Sequence, residues 1–318
     1  MLSVIVPCFN EEDVIAQTHT RLAATLRSLG CDFEILYVDD GSSDRTPELL
    51  SRLADGDRSV RVLRLSRNFG HQVAVSAGID HASGQAVALI DADLQDPPEL
   101  IADMVREWRA GYHVVYGRRG KRHGETRFKT ATASCFYRFL GALSEVRIPH
   151  DTGDFRLMDR KVVDALRALP ERDRYVRGLI AWVGFRQKAL LYDRDARAAG
   201  VSKYPLKKMV KLARDALVSF SLKPLQLPYW LGGASLAVAL GAAAWGILGR
   251  LLNGEDPSTV LWIVAVVAAF QGLQFFTIGI LGEYIGRSYG EAKRRPLYVV
   301  METQGFDVAE PRALPRVS

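Results

Sequence analysis

At 318 residues, the chain has room for one large domain or two smaller ones. Its net charge of +6, from 42 basic and 36 acidic residues, is too modest to point to a nucleic-acid partner. Cys8, Cys31 and Cys135 are odd in number, widely spaced and without a CxxC pair, which disfavours a disulfide framework or a zinc site.

The average composition hides two unlike parts. Residues 1–228 are mixed and charged in the manner of a soluble α/β domain, whereas 229–282 are almost free of charge. The cysteine usage reads as that of a reducing compartment, hence cytosolic for the first part, and the opening "MLSVIVPCFNEE", a short apolar run followed at once by acid, shows no signal peptide.

In chain order, short apolar runs at 2–7, 33–40, 60–66, 86–93 and 113–119 predict strands. Amphipathic stretches near 11–29, 44–55, 70–82 and 98–110 lie between them. Such alternation predicts a mainly parallel, Rossmann-like sheet with helices on both faces. Ligands of open sheets bind beyond the carboxyl ends of the strands. Polar clusters gather there: "PCFNEE", "DDGSSDRT", "DADLQD" and "GRR". A GxGxxG fingerprint is absent, which disfavours a nicotinamide cofactor.

Two of these clusters carry chemistry. In "DDGSSDRTPELL", Asp44 or Thr46 serves to cap the following helix, with Pro47 in its first turn. Asp39 and Asp40 are not needed for capping, and the ribose or base of a nucleotide would supply partners for them. In "DADLQDPPE", Asp91 and Asp93 project to one side of an extended strand end, and Gln95 continues the row if the backbone stays extended. Two carboxylates and an amide oxygen are hard ligands suited to Mg²⁺ or Mn²⁺ holding substrate phosphates.

Beyond residue 203, "YPLKKMVKLARDALVSFSLKPL" is amphipathic, with Lys207, Lys208, Lys211 and Arg214 at helical spacing. Residues 204–228 are therefore expected to form juxtamembrane helices on an anionic membrane face. Trp230 to Leu248 is 19 residues without a charge and Thr259 to Gly282 is 24. Roughly 20 helical residues span a bilayer core of about 30 Å, so residues 229–284 predict a two-helix transmembrane hairpin. Basic clusters flank the hairpin on both sides, while its loop pairs Arg250 with Glu255 and Asp256. The positive-inside rule then puts both termini, including a tail over 285–318, in the cytosol at the inner membrane.

Taken together, "VPCFNEE", "VDDGSSDRT", "RNFGHQVAVSAG", "DADLQDPPE", "TGDFRLMDR" and "RAAGVSKYPLKKM" resemble the family-2 glycosyltransferases of GT-A fold. The likeness is greatest to the polyprenyl-phosphate branch, the bactoprenol glucosyltransferases and dolichyl-phosphate mannose synthases. It implies a GT-A catalytic domain over residues 1–203. Pro7, Phe9, Glu11, Val38 and Asp40 would hold the nucleotide, with Ala92 passing close to it. Asp91, Asp93 and Gln95 would hold Mg²⁺ or Mn²⁺. Arg118, Arg197, Ser202 and Lys203 would bind phosphates, Arg because its planar fork bonds them bidentately. Asp154 would occupy the position of an acceptor-side base; it could instead pair with Arg156 or Arg160, or orient the acceptor or the sugar. His71 in "NFGHQ" is the histidine of interest, against a simple packing or capping role. Trp182 and Phe185 line the acceptor entrance or pack in the core.

The implied reaction is inverting transfer of a hexose, glucose from UDP-glucose favoured, to polyprenyl (undecaprenyl) phosphate for cell-envelope glycan synthesis. GDP-mannose or a UDP-amino sugar is the alternative donor. Similar enzymes assemble as tetramers. A processive polysaccharide synthase is disfavoured by the missing QxxRW motif and the two spans. A non-catalytic nucleotide-binding scaffold is disfavoured by the intact metal-ligand triad, and a flippase by the lack of a polar path through one hairpin.

Overall fold

A computed structural model describes residues 1–119, 152–172, 174–193, 231–235, 237, 240, 241, 244, 245 and 259–306. The chain divides into two compact units. One comprises Met1–Gly141, Val146–Met209 and Pro296–Ser318; the other comprises Ala142–Glu145 and Val210–Arg295.

The first unit holds a mixed α/β sheet. Strands β1 (Leu2–Cys8), β2 (Phe33–Asp39), β3 (Val60–Leu65), β4 (Ala86–Leu89), β5 (Val114–Arg119), β6 (Thr152–Asp159), β7 (Gln187–Tyr192) and β8 (Val300–Gln304) form it in the order β7-β5-β6-β4-β1-β2-β3-β8. The helices are α1 (Ile15–Ser28), α2 (Thr46–Gly56), α3 (His71–His81), α4 (Leu100–Arg109), α5 (Arg160–Ala168) and α6 (Val176–Trp182).

The five expected strands are present, and β4-β1-β2-β3 run parallel. The rest of the sheet is less parallel than the alternation predicts. β6 runs against both β4 and β5, β8 runs against β3, and β7 is parallel to β5. The β6 segment was visible as the motif "TGDFRLMD" but not as a strand, because its charged residues interrupt the apolar pattern. The burial of Asp154 on it is matched by partners far away in sequence, His71 and Arg177.

The local chemistry is conventional. Every residue of β1 is buried, as expected for a continuous apolar run in a central strand. In α4, Ile101, Met104 and Val105 are buried at helical spacing against the sheet. The Asp159 side chain caps α5 by accepting the Lys161 N–H at 2.9 Å. Gly78 lets α3 lie close on β1, since a Cβ there would stand 2.3 Å from Ile5 Cγ2.

The eighth strand comes from the segment expected as a cytosolic tail. Its residues pair with β3 from Val62↔Gln304 to Leu65↔Val300. Tyr298 donates its hydroxyl to Asp80 at 3.1 Å, at the end of α3.

In the second unit, helix α7 (Thr259–Ala292) runs for 34 residues. Trp262, Ile263, Val267, Phe275, Phe276 and Ile278 are exposed along it. Some side chains of its first turns are not described, and among the described residues no helix is long and apolar enough to cross a membrane. The expected hairpin is therefore not established. Much of its first run and its loop, and the juxtamembrane residues 204–228, lie outside the described residues.

Candidate active site

The loop after β4 departs from its expected shape. The strand stops at Leu89, and residues 92–93 turn. Asp93 Oδ1 accepts the Gln95 N–H at 3.2 Å, and Leu94 adopts a left-handed φ of 56°. Asp91, Asp93 and Gln95 thus do not form a row on extended backbone. An aspartate that can bond the N–H two residues on offers the chain a turn instead of a strand. Burial of Leu94 accompanies the left-handed conformation.

The loop is held from two sides. Thr18 donates its hydroxyl to the Ala92 carbonyl at 2.7 Å, and the Tyr192 hydroxyl donates to buried Asp96. Gly117 leaves room for the Tyr192 ring, which a Cβ would meet at 2.8 Å.

Within this loop, Asp91 Oδ1 and Gln95 Oε1 are buried without a hydrogen-bond partner among the described residues. Burial pushes the Asp91 carboxyl up to about 6; His71 opposes the rise, and Asp154, Asp96 and Asp93 add to it. Unsatisfied buried oxygens of this kind fit a hard cation. Among the described residues, no three His, Cys, Asp or Glu side chains gather into a metal site. The two oxygens would supply part of such a cation's shell, and a Mg²⁺ ion held by few protein oxygens would take the rest from water or phosphate.

Opposite Asp91 stands a compact ionic cluster. Asp154, on β6 and 4% exposed, receives Arg177 Nε on Oδ1 at 2.6 Å and Arg177 Nη2 on Oδ2 at 2.9 Å. His71 Nε2, at the start of α3, lies 3.1 Å from Asp154 Oδ2 and 3.8 Å from Asp91 Oδ1. Burial alone would raise the Asp154 carboxyl, but the Arg177 charge and hydrogen bonds, with those of His71, hold it well below the usual range. Burial would lower His71, yet the bond to Asp154 and the charges of Asp91 and Asp154 raise it to about 9.

The alternative partners considered for Asp154 are engaged elsewhere. Arg156 donates to the backbone carbonyls of Asp154 and Gly153, and Arg160 to those of Gly84 and Ala82. Arg177 was not foreseen. Its signal in the sequence is one arginine among Val176, Gly178, Leu179 and Ile180, all buried on α6.

The expected nucleotide residues gather at the ends of β1 and β2. Pro7 and Val38 are buried in neighbouring strands at paired positions, and Phe9 just beyond β1 is 37% exposed. The Glu11 N–H donates to Thr46 Oγ1 at 2.8 Å. Asp44 accepts the Thr46 N–H at 3.0 Å just ahead of α2, whose N-cap position is Arg45 and makes no side-chain cap bond.

Asp39 and Asp40 both have protein partners, and Asp39 Oδ2 is buried without a hydrogen-bond partner among the described residues. Asp39 accepts the Ser42 N–H at 3.0 Å and faces Arg64 at 3.5 Å. Asp40 accepts the N–H groups of Phe69 and Gly70 at 2.7 and 2.9 Å, fixing the loop that leads to His71. Gly41 permits this close approach: its φ is +70°, and a Cβ would fall 2.4 Å from the Arg67 carbonyl carbon.

Arg118 is exposed on β5, paired in register with Thr152. Trp182 is 58% exposed, so it is not a core residue, while Phe185 packs against His113. Arg197, Ser202 and Lys203 lie outside the described residues.

The chain is 47% identical over 307 residues to the uncharacterized glycosyltransferase YkcC of Bacillus subtilis (strain 168), covering 96% of this chain and 94% of that one. It is 38% identical over 299 residues to the bactoprenol glucosyl transferase of Shigella phage SfV, covering 94% and 97%. Among solved structures, glucosyl-3-phosphoglycerate synthase of Mycobacterium tuberculosis, in complex with Mn²⁺, UDP-glucose and phosphoglyceric acid, matches with a TM-score of 0.43 at 20% identity. That match covers 69% of this chain and 77% of the other, and a likeness so distant carries no argument about the site. The family model "Glycosyl transferase family 2" matches residues 3–167, from β1 into α5. The chain belongs to glycosyl transferase family 2.

Proposed function

We propose that this glycosyltransferase moves a hexose, glucose from UDP-glucose in the favoured case, onto polyprenyl phosphate with inversion at the anomeric carbon. The observation that carries this reading is the pair of buried oxygens without hydrogen-bond partners among the described residues, Asp91 Oδ1 and Gln95 Oε1, with Asp91 3.8 Å from a His71 that contacts Asp154. The 38% identity to a bactoprenol glucosyl transferase across 94% of the chain supports a lipid-carrier acceptor.

A lipid monophosphate has a second pKa of about 6, so at neutral pH it is largely dianionic and already nucleophilic. One of its oxygens attacks the anomeric carbon as the bond to the nucleoside diphosphate breaks. Asp91, Asp93 and Gln95 are the residues to hold Mg²⁺ or Mn²⁺, which when bound supplies positive charge against the departing diphosphate. Phe9 and the ends of β1 and β2 receive the nucleotide. Arg118, Arg197, Ser202 and Lys203 are assigned to phosphates of donor and acceptor.

The same reading takes residues 229–284 as a membrane hairpin at the inner membrane, with the catalytic unit in the cytosol. Its support is the 24-residue uncharged run within α7 and the return of the chain as β8 to the same sheet. Because β8 and β3 share one sheet, any crossings between them are even in number, as in a hairpin.

The test uses the full chain purified in detergent with undecaprenyl phosphate, Mg²⁺ and a panel of radiolabelled nucleotide sugars. Label passing into the lipid phase from one donor, and lost in Asp93→Ala, is the expected result and names the sugar. Absence of lipid-phase label from every donor, with nucleotide binding intact, would sink the lipid-phosphate reading in favour of a scaffold.

A further inference from the structure

Both oxygens of Asp154 are engaged. Arg177 reaches them as a fork, Nε to Oδ1 at 2.6 Å and Nη2 to Oδ2 at 2.9 Å, and its Nη1 donates to the Thr152 carbonyl at 3.2 Å. A planar guanidinium bonded in this way fixes the plane and direction of the carboxylate. His71 Nε2 adds a third contact at 3.1 Å, on Oδ2.

The arrangement is tied into its surroundings by a separate bond. Gln72, next to His71, accepts the Val176 N–H at 3.0 Å, one residue before Arg177. The starts of α3 and α6 are thus joined twice, by Gln72–Val176 and by His71–Asp154–Arg177. A proton placed on either Asp154 oxygen would weaken one of these charge-assisted bonds. A base needs the opposite: an oxygen that gains by taking a proton.

We propose that Arg177 is a positioning residue for sugar transfer: with His71 it holds Asp154 as a fixed anion, which orients the acceptor side of the site and removes no proton. This rests on the lipid-phosphate reading, in which the acceptor arrives with little proton to lose. Arg177 acts through Asp154 and not on the reacting atoms.

The test compares Arg177→Gln, Arg177→Lys, Asp154→Asn and the double variant Asp154→Asn/Arg177→Gln, each as full chain in detergent. Initial rates are measured with undecaprenyl phosphate and the donor that wild type uses, and thermal midpoints report folding. Loss of a fixed geometry near the chemistry costs on the order of 100-fold in kcat, so Arg177→Gln and Asp154→Asn should each fall by about that factor. The donor KM should stay within about twofold, because the nucleotide is bound elsewhere. Arg177→Lys should recover only part of the rate, since an ammonium cannot form the fork. The double variant should be no slower than the slower single variant, as expected for residues acting as a unit.

A base at Asp154 predicts a different pattern. Released from Arg177, it would accept a proton more readily, so Arg177→Gln would keep or raise kcat while Asp154→Asn alone lost it. That pattern overturns the proposal, as do losses that multiply in the double variant. Should wild type label no lipid from any donor, the acceptor reading fails separately. Acceptor-independent release of UDP from UDP-glucose then carries the comparison: equal falls in the two single variants uphold the positioning role, and an unchanged Arg177→Gln overturns it.

Discussion

The two ends of the same sheet bury charge in opposite ways. At the amino end, Glu34 is 2% exposed and closed on all sides. It accepts from the Ser3 hydroxyl, accepts the Ser83 N–H and the Ser83 hydroxyl, both at 2.8 Å, and pairs with Arg61 at 2.6 Å. At the carboxyl end, the Asp91 side chain is 28% exposed and stands 3.8 Å from His71, and its buried Oδ1 has no hydrogen-bond partner among the described residues. A buried charge that holds a fold together is one whose shell is complete. A charge left incomplete raises the free energy of the protein alone, and a ligand that completes it recovers that difference on binding.

This contrast can be broken by exchanging one residue at each end. Asp91→Asn should lower lipid-directed transfer by a factor on the order of 1,000, as expected when charge stabilisation of a transition state is lost. Its thermal midpoint should equal or exceed that of wild type, because a carboxylate whose buried Oδ1 has no hydrogen-bond partner among the described residues has been neutralised. A lowered midpoint would mean that Asp91 is structural after all. Glu34→Gln should do the reverse, with the midpoint lowered by the loss of about 3 kcal/mol of stability, since a buried pair has lost one charge. Transfer per folded molecule should stay at the wild-type level; a fall in kcat would erase the distinction between the two ends.

A smaller effect sharpens the place of Asp154 in this scheme. Its carboxyl is held below the ordinary range in the folded chain, so the pair with Arg177 contributes stability above the unfolded pKa of about 3.9, and that contribution is lost as pH falls. The difference in thermal midpoint between wild type and Asp154→Asn should therefore be constant between about pH 5 and 6, shrink below about pH 4 as Asp154 takes a proton, and shrink again toward about pH 9 as His71, which Asp154 holds charged, loses one. A difference independent of pH down to the acid transition would remove the ionic pairing from the explanation.

Much of the site was legible because its chemistry is local. Asp44 and Thr46 identify a helix start, and the strand ends carry polar clusters because open sheets leave room for ligands there. The shape of the "DADLQD" loop was misread for an equally local reason. Period-two geometry assumes an extended backbone, whereas Asp93 draws the Gln95 N–H into a turn. The partners of Asp40 and Asp154 belong to a different class. Phe69 and Gly70 are about thirty residues from Asp40, and Arg177 is 23 from Asp154; no spacing rule within one element connects them.

The sequence by itself determined the alternation of strands and helices and the family likeness, because hydrophobic period and side-chain type act over a few residues. Tertiary structure alone decided that β6 runs against its neighbours, that β8 returns from beyond α7 to the sheet edge, and that Arg177 takes both oxygens of Asp154. Each of these depends on which groups burial brings together and on the cost of leaving a charge there without a partner, and neither is a property of any short stretch of chain.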